Sequence, residues 1–355
     1  MVSVAVAQLT VGVSLAATED EGQAAGALLS VGGDARLTTR PDPALAETAQ
    51  RIADAPGVRA AAAGRVADGV QASSRSSADR VRLVILDAEA YQHLLSTSEL
   101  PDAPQLALLE PGASEGQGVP ALLLGGDADL RSSLVLAWDD ARIPLDVVGT
   151  APSVGAVADP VVVVDAEAFA EGGAVAPPDT VWAVGPGAVA AVESAAGPEG
   201  SVLRYADDLG VRRDAPLPSG LVRLAVAASL LLLLFAALAV VLSAATEAPG
   251  RAESLGRLRA LGLPDRDVRR VLAGELLIPV LVAALAGLAL GVGAAHAMFG
   301  SLSLERITGQ TGTPSVVVPW WTLAATGVLV LVVLAVAAVE WRRLRRRVLA
   351  QLLRS

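Results

Sequence analysis

The sequence predicts a membrane protein with a bundle of four transmembrane α-helices. A large α/β or α+β domain is expected outside the membrane, between the first and second helices. Hydrophobic residues make up 53% of the 355 positions and the mean hydropathy is +0.54, which is too apolar for a soluble chain unless membrane spans hold the excess. The charged residues are also unevenly distributed, with acidic residues in the first part of the chain and arginines clustered towards the end.

Long runs without charge predict the spans. Residues 224–245 form a run of 22 without a charge, residues 276–299 a run of 24 whose only ionisable group is His296, and residues 320–339 a run of 20. Each run can cross a hydrocarbon core of about 30 Å at about 1.5 Å per residue. With their flanks, they predict spans at 221–245, 275–299 and 320–341.

The first apolar stretch, residues 2–17, is shorter, and no Lys or Arg precedes it. A signal peptide needs a positively charged n-region, so we interpret residues 1–18 as a first transmembrane segment, which could be truncated. A cleaved signal peptide ending near Ala16 or Ala17, or an ordinary buried segment, is the alternative.

Arginine placement predicts the orientation of the spans. Residues 18–220 hold 30 acidic and 13 basic residues, a net charge of −17, whereas residues 221–355 hold 7 acidic and 14 basic, a net charge of +7. Basic residues in short loops favour the cytoplasmic side, so the loop 246–274 and the tail are predicted to be cytoplasmic. The region 19–219 and the loop 300–319 are then extracytoplasmic. The last residues of the basic tail are 350–355, and its arginines are explained by attraction to anionic membrane lipid. No nucleic-acid partner is expected.

Between residues 32 and 218, short β-rich runs alternate with Ala-rich amphipathic helices. The predicted strands are 80–86, 161–164, 180–184 and 201–205, the predicted helices are 43–55, 88–95, 166–170 and 186–196, and 134–138 with 143–149 form a predicted hairpin. The phrases VILDAEAY at 84–91 and VVVDAEAF at 162–169 are nearly identical, which suggests a duplicated strand-to-helix unit. Chance similarity in an Ala- and Val-rich chain is the alternative.

Residue types exclude several chemistries. Cysteine is absent, and all 27 basic residues are Arg, so a Cys-ligated metal, a thiolate nucleophile and a Walker A loop are excluded. HExxH and GxGxxG are also absent. We therefore expect no enzyme activity and no catalytic, cofactor-binding or metal-binding residue. The remaining candidates are interpreted as surface or packing residues: Asp139 with Asp140, Asp207 with Asp208, His93 and His296.

The segment 251–275 reads RAESLGRLRALGLPDRDVRRVLAGE and favours a short helix lying at the membrane surface. Leu255, Leu258 and Leu261 fall three residues apart and give an apolar stripe. Gly262 supplies a helix stop, and Asp265 can cap a second helix that enters the next span. An ordinary solvated loop is the alternative.

This segment resembles the cytoplasmic coupling segment of FtsX-like permeases of ABC transporters. In that family an Arg- and Glu-containing helix ends in a Leu-Arg-Ala-Leu-Gly phrase, and a Glu then opens a Gly-rich span. The matching residues here are Arg251, Glu253, 258–262, and Glu275 followed by Gly287 and Gly291. The resemblance covers 221–349, and the outer domain resembles that of MacB-like permeases only by its placement.

The resemblance implies an FtsX-like permease domain at 220–349 and a MacB-like domain at 19–219. It implies a multi-pass permease subunit, or the C-terminal half of one, in a bacterial plasma membrane, paired with a second copy or half. A separate ABC ATP-binding subunit would bind ATP and move the outer domain, for export of a lipoprotein, peptide or hydrophobic compound. Contact with that ATPase is expected at Arg251, Glu253, Leu255, Leu258, Leu261 and Gly262. A sensory or scaffolding membrane protein with a ligand-binding outer domain is the alternative.

Small residues recur every four positions in the span 275–299, at Ala283, Gly287, Gly291 and Ala295. Such a face lets another helix approach closely, so we expect it to pack within the bundle or in a dimer.

The topology can be tested by single-Cys labelling, since the chain has no native Cys. In intact cells an impermeant maleimide should leave Ser254→Cys unlabelled, because the loop 246–274 is predicted to be cytoplasmic, and should label Ser114→Cys in the outer domain. Permeabilising the membrane should expose Ser254→Cys. Labelling of Ser254→Cys from outside intact cells would disprove the predicted orientation.

Overall fold

The computed structural model describes residues 2–74, 78–110, 118–125, 130, 134–139, 141–152, 160–260 and 265–301, with positions 320, 324, 327–328, 331–332, 334–335 and 338–339. The chain divides into two compact units. We name Met1–Asp20, Ala215–Leu304 and Pro314–Ser355 the helical unit, and Glu21–Asp214 with Glu305–Thr313 the sheet unit. The predicted span at 320–341 falls mostly outside the described residues.

The helices of the described residues are α1 (Val2–Val31), α2 (Leu45–Ala53), α3 (Ala88–Ser96), α4 (Ala166–Glu171), α5 (Ala188–Ala195), α6 (Tyr205–Asp214), α7 (Pro216–Ala260) and α8 (Asp265–Ser301), with a 3₁₀ helix at Pro104–Leu109. The strands are β1 (Ala35–Thr38), β2 (Ala60–Ser73), β3 (Ala78–Leu86), β4 (Val119–Leu124), β5 (Leu134–Trp138), β6 (Ala141–Gly149), β7 (Val161–Asp165), β8 (Thr180–Val184) and β9 (Ser201–Arg204).

Six strands of the sheet unit close into a ring. The strand order is β3-β7-β4-β6-β5-β2-β8-β1-β9, and an additional pairing of β3 with β2 joins the two ends of the first six. All six strands contribute to one buried apolar cluster, which includes Ala72, Leu83, Ala121, Leu136, Leu145 and Val162. The ring is therefore a small barrel with a filled interior, which leaves few free edges.

The long strand β2 also belongs to a second layer. Its first residues, 60–64, pair with β8, and β1 lies between β8 and β9. Helices α2 and α5 cover one face of this extension through Leu45, Ile52 and Val192. The other face packs against α3 and the end of α1, so β2 connects the barrel to the extension.

Trp182 of β8 is the largest side chain in the core of that second face. Its ring meets Tyr91 edge to face, with the ring centroids 5.4 Å apart, and burial raises the pKa of the Tyr91 hydroxyl well above its usual range. A Cβ at Gly32, where φ is +80°, would lie 2.5 Å from Trp182 Cδ1, and one at Gly64 would lie 2.8 Å from Trp182 Cζ3. Both positions therefore require glycine.

The two similar phrases of the sequence form neighbouring strand-to-helix units, β3 with α3 and β7 with α4. In the parallel pairing of β3 with β7, Leu86 lies opposite Asp165. This pairing is offset by one residue from the alignment of the two phrases in the sequence. Because side chains alternate between the faces of a strand, this offset sends equivalent residues to opposite faces. Tyr91 packs in the core beside Trp182, whereas its counterpart Phe169 packs in the barrel.

Asp165 joins the two strand-to-helix units. Its Oδ1 accepts hydrogen bonds from the backbone N–H groups of Glu167 and Ala168 at the start of α4, at 2.9 and 3.1 Å. Its Oδ2 accepts one from the N–H of Ala88 at the start of α3, at 3.1 Å. One buried carboxylate thus satisfies the free N–H groups of two helices.

Several elements differ from the sequence prediction, among them α2, the end of β9 and strand β2. Helix α2 begins at Leu45 rather than Pro43, because Asp42 accepts from the N–H groups of Ala44 and Leu45 and forms a turn ahead of the helix. Tyr205, predicted to end a strand, opens α6. Strand β2 had no prediction, because its run of alanines lacks the β-branched and aromatic residues typical of strands.

Replacing Asp165 should destabilise the sheet unit more than replacing Asp87. Asp165→Ala leaves three N–H groups without their acceptor and should cost roughly 2–4 kcal/mol. Asp87→Ala removes the single cap of Ala90 N, at 2.9 Å, and should cost about 1 kcal/mol. Thermal unfolding of the detergent-solubilised chain measures both. Equal losses would mean that Asp165 does not support both helices.

Candidate functional site

The site residues predicted from the sequence, in the coupling segment and in the small-residue face, lie in the helical unit. Three helices have the length and composition of membrane spans: Val2–Val31, Arg223–Ser243 and Leu277–Ala297, with mean hydropathies of 1.4, 2.9 and 2.3. The most apolar window of α1 is 44% buried, against 11% and 22% for the other two. The least apolar helix is therefore the most enclosed one, as expected if its polar groups are kept away from lipid.

Helix α8 contacts α1 through its small-residue face. Gly287 and Gly291 are buried, and Ala295 is fully buried, while Ala283 is half-buried. A Cβ at Gly287 would lie 2.5 Å from the carbonyl oxygen of Ser3 in α1. A Cβ at Gly291 would lie 2.6 Å from Thr10 Cβ. The two backbones approach so closely that only glycine fits at these positions.

Helix α7 contacts α1 through another small residue. A Cβ at Gly12 of α1 would lie 2.8 Å from the hydroxyl oxygen of Ser229 and 3.4 Å from the carbonyl oxygen of Ala225. The Ser229 hydroxyl lies 2.7 Å from Ala225 O and 3.3 Å from Gln8 O, so it donates chiefly within its own helix. Helix α1 thus lies against both α7 and α8.

Polar side chains of α1 are enclosed in this packing. Thr10 is buried and donates to the carbonyl oxygen of Val6 at 2.8 Å. Ser14 is also fully buried, and its hydroxyl has no hydrogen-bond partner within the part of the chain that the structure describes. Val6 packs with Val280 and Ala284 of α8, so an apolar contact adjoins the polar one.

The predicted coupling segment is placed differently from the prediction. Helix α7 continues without a break from Pro216 to Ala260, through Pro249 and Gly250, so residues 251–260 extend the second span instead of forming a separate helix at the membrane surface. Arg251, Glu253, Leu255 and Leu258 lie in this extension, whereas Leu261 and Gly262 lie outside the described residues. The prediction of a separate surface helix is wrong, because α7 does not end at Pro249 but continues to Ala260.

Helix α8 begins at Asp265, earlier than the span that it contains. The sequence predicted a helix beginning near Asp265 and entering this span, and α8 agrees with that prediction. Glu275, which the resemblance placed at the opening of the Gly-rich span, lies exposed in the interior of α8, ten positions after Asp265.

The polar candidates of the sheet unit have local roles. Asp208 forms an ion pair with Arg212 at 2.7 Å, four residues along α6, and Asp207 lies 3.7 Å from Arg204. His93 is exposed on α3, and Asp139 occupies the turn between β5 and β6 with φ of +49°. Asp140 lies outside the described residues. In the helical unit, His296 is exposed, and its Nδ1 lies 3.0 Å from the carbonyl oxygen of Val292.

A cluster of charges that the sequence did not reveal surrounds Arg36 of β1. Burial, with the nearby Arg82, lowers the pKa of the Arg36 guanidinium, while Asp208 and Asp68 oppose this shift. Arg36 donates to the carbonyl oxygen of Ser30 at 2.8 Å, and Arg82 forms a two-point ion pair with Asp68. Arg36 thus ties the end of α1 to β1, and the Arg82–Asp68 pair joins β3 to β2, which are structural roles.

The described residues contain three helices with the length and composition of membrane spans. Residues 226–349 match the family model described as FtsX-like permease C-terminal, so this part of the chain is an FtsX-like permease domain. The resemblance inferred from the segment 251–275 and the spans is thereby confirmed. No match to a curated protein is found.

Two solved structures are similar to the chain. The first is the extracellular domain of the ABC-type transporter YknZ from Gram-positive bacteria, with 9% identity over 48% of this chain and 98% of that one, and a TM-score of 0.31. The second is the periplasmic region of MacB from Actinobacillus actinomycetemcomitans, with 5% identity over 53% of this chain and 96% of that one, and a TM-score of 0.32.

The contact between α1 and α8 predicts the effect of enlarging its glycines. Gly287→Leu should lower the free energy of unfolding by about 3 kcal/mol or more, because the new side chain meets the backbone of α1. Gly293→Leu is the matched control, since a Cβ there meets nothing within 4 Å. Thermal unfolding of both variants in detergent measures the difference. If Gly293→Leu is as damaging as Gly287→Leu, the close contact does not stabilise the unit.

Proposed function

We propose that the chain is the permease subunit, or the C-terminal half of a longer permease, of an ABC transporter in a bacterial plasma membrane. The observation that carries the proposal is the FtsX-like permease match at 226–349, which includes the helical extension 251–260. A separate cytoplasmic ABC ATPase binds and hydrolyses ATP, and the chain itself binds no cofactor. A second permease copy or half completes the transporter.

The extension of α7 supplies the contact with the ATPase. It continues for 17 residues beyond the candidate span that ends at Ser243, a length of about 25 Å. Helix α8 starts at Asp265, before its own candidate span begins at Leu277. The end of α7 and the start of α8, which follow one another in the sequence, therefore both extend beyond their spans. A helix end at this distance from the span can contact a cytoplasmic subunit.

Helix α1 provides the connection to the outer domain. Its residues up to Asp20 belong to the helical unit, and those from Glu21 belong to the sheet unit. Its first half lies against α7 and α8, and its last residues, Leu29 and Val31, are buried in the sheet unit. In this proposal, a displacement of α7 or α8 reaches the outer domain through α1. The proposed output is movement of the outer domain during export of a lipoprotein, peptide or hydrophobic compound.

The coupling proposal predicts the effect of a charge on the apolar stripe. Burying one leucine contributes roughly 1.5–3 kcal/mol, and an unpaired charge in its place costs more, so Leu258→Glu should remove most of the affinity for the ATPase. Gly256→Glu is the matched control, because it introduces the same side chain about 160° away around the helix. The effect is measured by co-purification with an ABC ATPase, sought among the neighbouring genes, and by ATP hydrolysis of the reconstituted pair.

Both variants should insert into the membrane, since the positions lie outside every span, and the chain alone should hydrolyse no ATP. If Leu258→Glu binds and stimulates the ATPase as wild type does while remaining folded, α7 is not the coupling element. If the wild-type chain binds no ATPase at all, the sensory or scaffolding function is favoured.

A further inference from the structure

A groove of about 310 Å³ lies on one face of the sheet unit. Its floor is formed by Ala61, Ala63 and Arg65 of β2 with Ile85 of β3, and α2 forms one wall. These floor residues alternate with Ala60, Ala62 and Gly64, which face the Trp182 core. We name this cavity the alanine groove.

The alanine groove exists because its lining side chains are small. Nine of its sixteen lining residues are alanine. On α2 the residues that line it are Ala46, Ala49, Gln50 and Ala53, whereas the larger Leu45 and Ile52 belong to the core under α2 and α5. Its volume is close to the lower end of the roughly 300–1,000 Å³ usual for small-molecule sites.

One guanidinium at the groove is held in a fixed position. Arg65 NH1 donates to Asp179 Oδ2 at 2.8 Å, and the Arg65 side chain is 23% exposed. Asp179 is buried, and its Oδ1 also accepts from Val66 N at 3.0 Å and Thr180 Oγ1 at 2.8 Å. Within the residues that the structure describes, Asp179 is the one hydrogen-bond partner of this guanidinium. Since a guanidinium has five N–H donors, it keeps donors for a ligand.

The charges around the groove select against an anion. Asp179 neutralises Arg65, and a second carboxylate, Asp87, lines the groove while it caps α3. An anionic ligand would therefore meet a net negative site in an acidic domain. An uncharged ligand is not repelled by the net negative charge of the site. If it carries a hydrogen-bond acceptor, the remaining Arg65 donors can bind that oxygen, and the alanines can pack against its apolar surface.

We propose that the alanine groove binds small, uncharged, apolar compounds that carry a carbonyl acceptor, with Arg65 donating to that oxygen. The site lies wholly within the sheet unit and is independent of the proposed contact with an ATPase. Its ligand can be a transported compound or a regulator.

Benzophenone is a suitable probe, because it has two apolar rings, no charge and one carbonyl. On irradiation its excited carbonyl abstracts a hydrogen atom from a nearby C–H bond, and the two carbon radicals join, so the ketone becomes a tertiary alcohol bonded to the protein. The full chain is irradiated in lipid nanodiscs with increasing benzophenone, and tryptic peptides are quantified by mass spectrometry. Saturable labelling is expected in peptides 52–59 and 60–65, which contain Ala53, Ala61 and Ala63.

Two variants test the site directly. Ala53→Phe fills the groove and should reduce the saturable labelling at least about tenfold. Ala170→Phe is the matched control, because Ala170 is exposed on α4 and does not line the groove, and its labelling should equal wild type. Arg65→Lys keeps a positive charge beside Asp179 but loses the forked donors, and should weaken binding about threefold to tenfold.

A second labelling experiment uses the anion 4-benzoylbenzoate and tests the expected selection against negative charge. The anion should label these peptides several-fold less than benzophenone does. Stronger labelling by the anion, absence of saturable labelling in wild type, or unchanged labelling in Ala53→Phe would each overturn the proposal. None of these results would affect the Leu258→Glu experiment, so the two proposals fail separately.

Discussion

Close approach at small residues is the constraint on which both units depend. In the helical unit the backbone of α1 lies so near Gly287 and Gly291 that a side chain there would overlap it. In the sheet unit the ring of Trp182 occupies the space that side chains at Gly32 and Gly64 would need. Helices in lipid gain little from apolar burial, so packing at short distance has to hold them together. In the core of the sheet unit, the same small residues leave room for one large aromatic group.

Two helices that meet in this packing are long. Helix α7 runs from Pro216 through its candidate span to Ala260, and α1 runs unbroken from Val2 to Val31. The two helices touch at Gly12 and Ser229. In the sheet unit, Asp165 caps two helices, and Arg82 forms an ion pair with Asp68 near Arg36. The proposed coupling rests on the two long helices.

The sequence signals differed in strength for physical reasons. The spans were visible because a run of more than about 18 residues without charge is rare outside membrane helices, and strands such as 161–165 were visible because consecutive valines favour a buried strand. Strand β2 was missed because four consecutive alanines favour a helix locally, and pairing with β3 and β8 overrides that preference. The coupling segment was interpreted as a separate surface helix because Leu255, Leu258 and Leu261 give an apolar stripe, yet α7 continues into it through Pro249 and Gly250.

The sequence alone marked the candidate membrane helices and the permease family, because hydropathy and a local motif are properties of neighbouring residues, and it predicts an orientation from arginine placement. It also marked the small-residue face of α8, although not the helix that covers it. Only the tertiary structure decided that α1 is that helix, that β2 closes a barrel, that one carboxylate caps two helices, and that Arg65 and Asp179 meet beside a groove of alanines. These contacts join residues distant in sequence, such as Arg65 and Asp179, which are 114 positions apart, and no local pattern encodes such a pair.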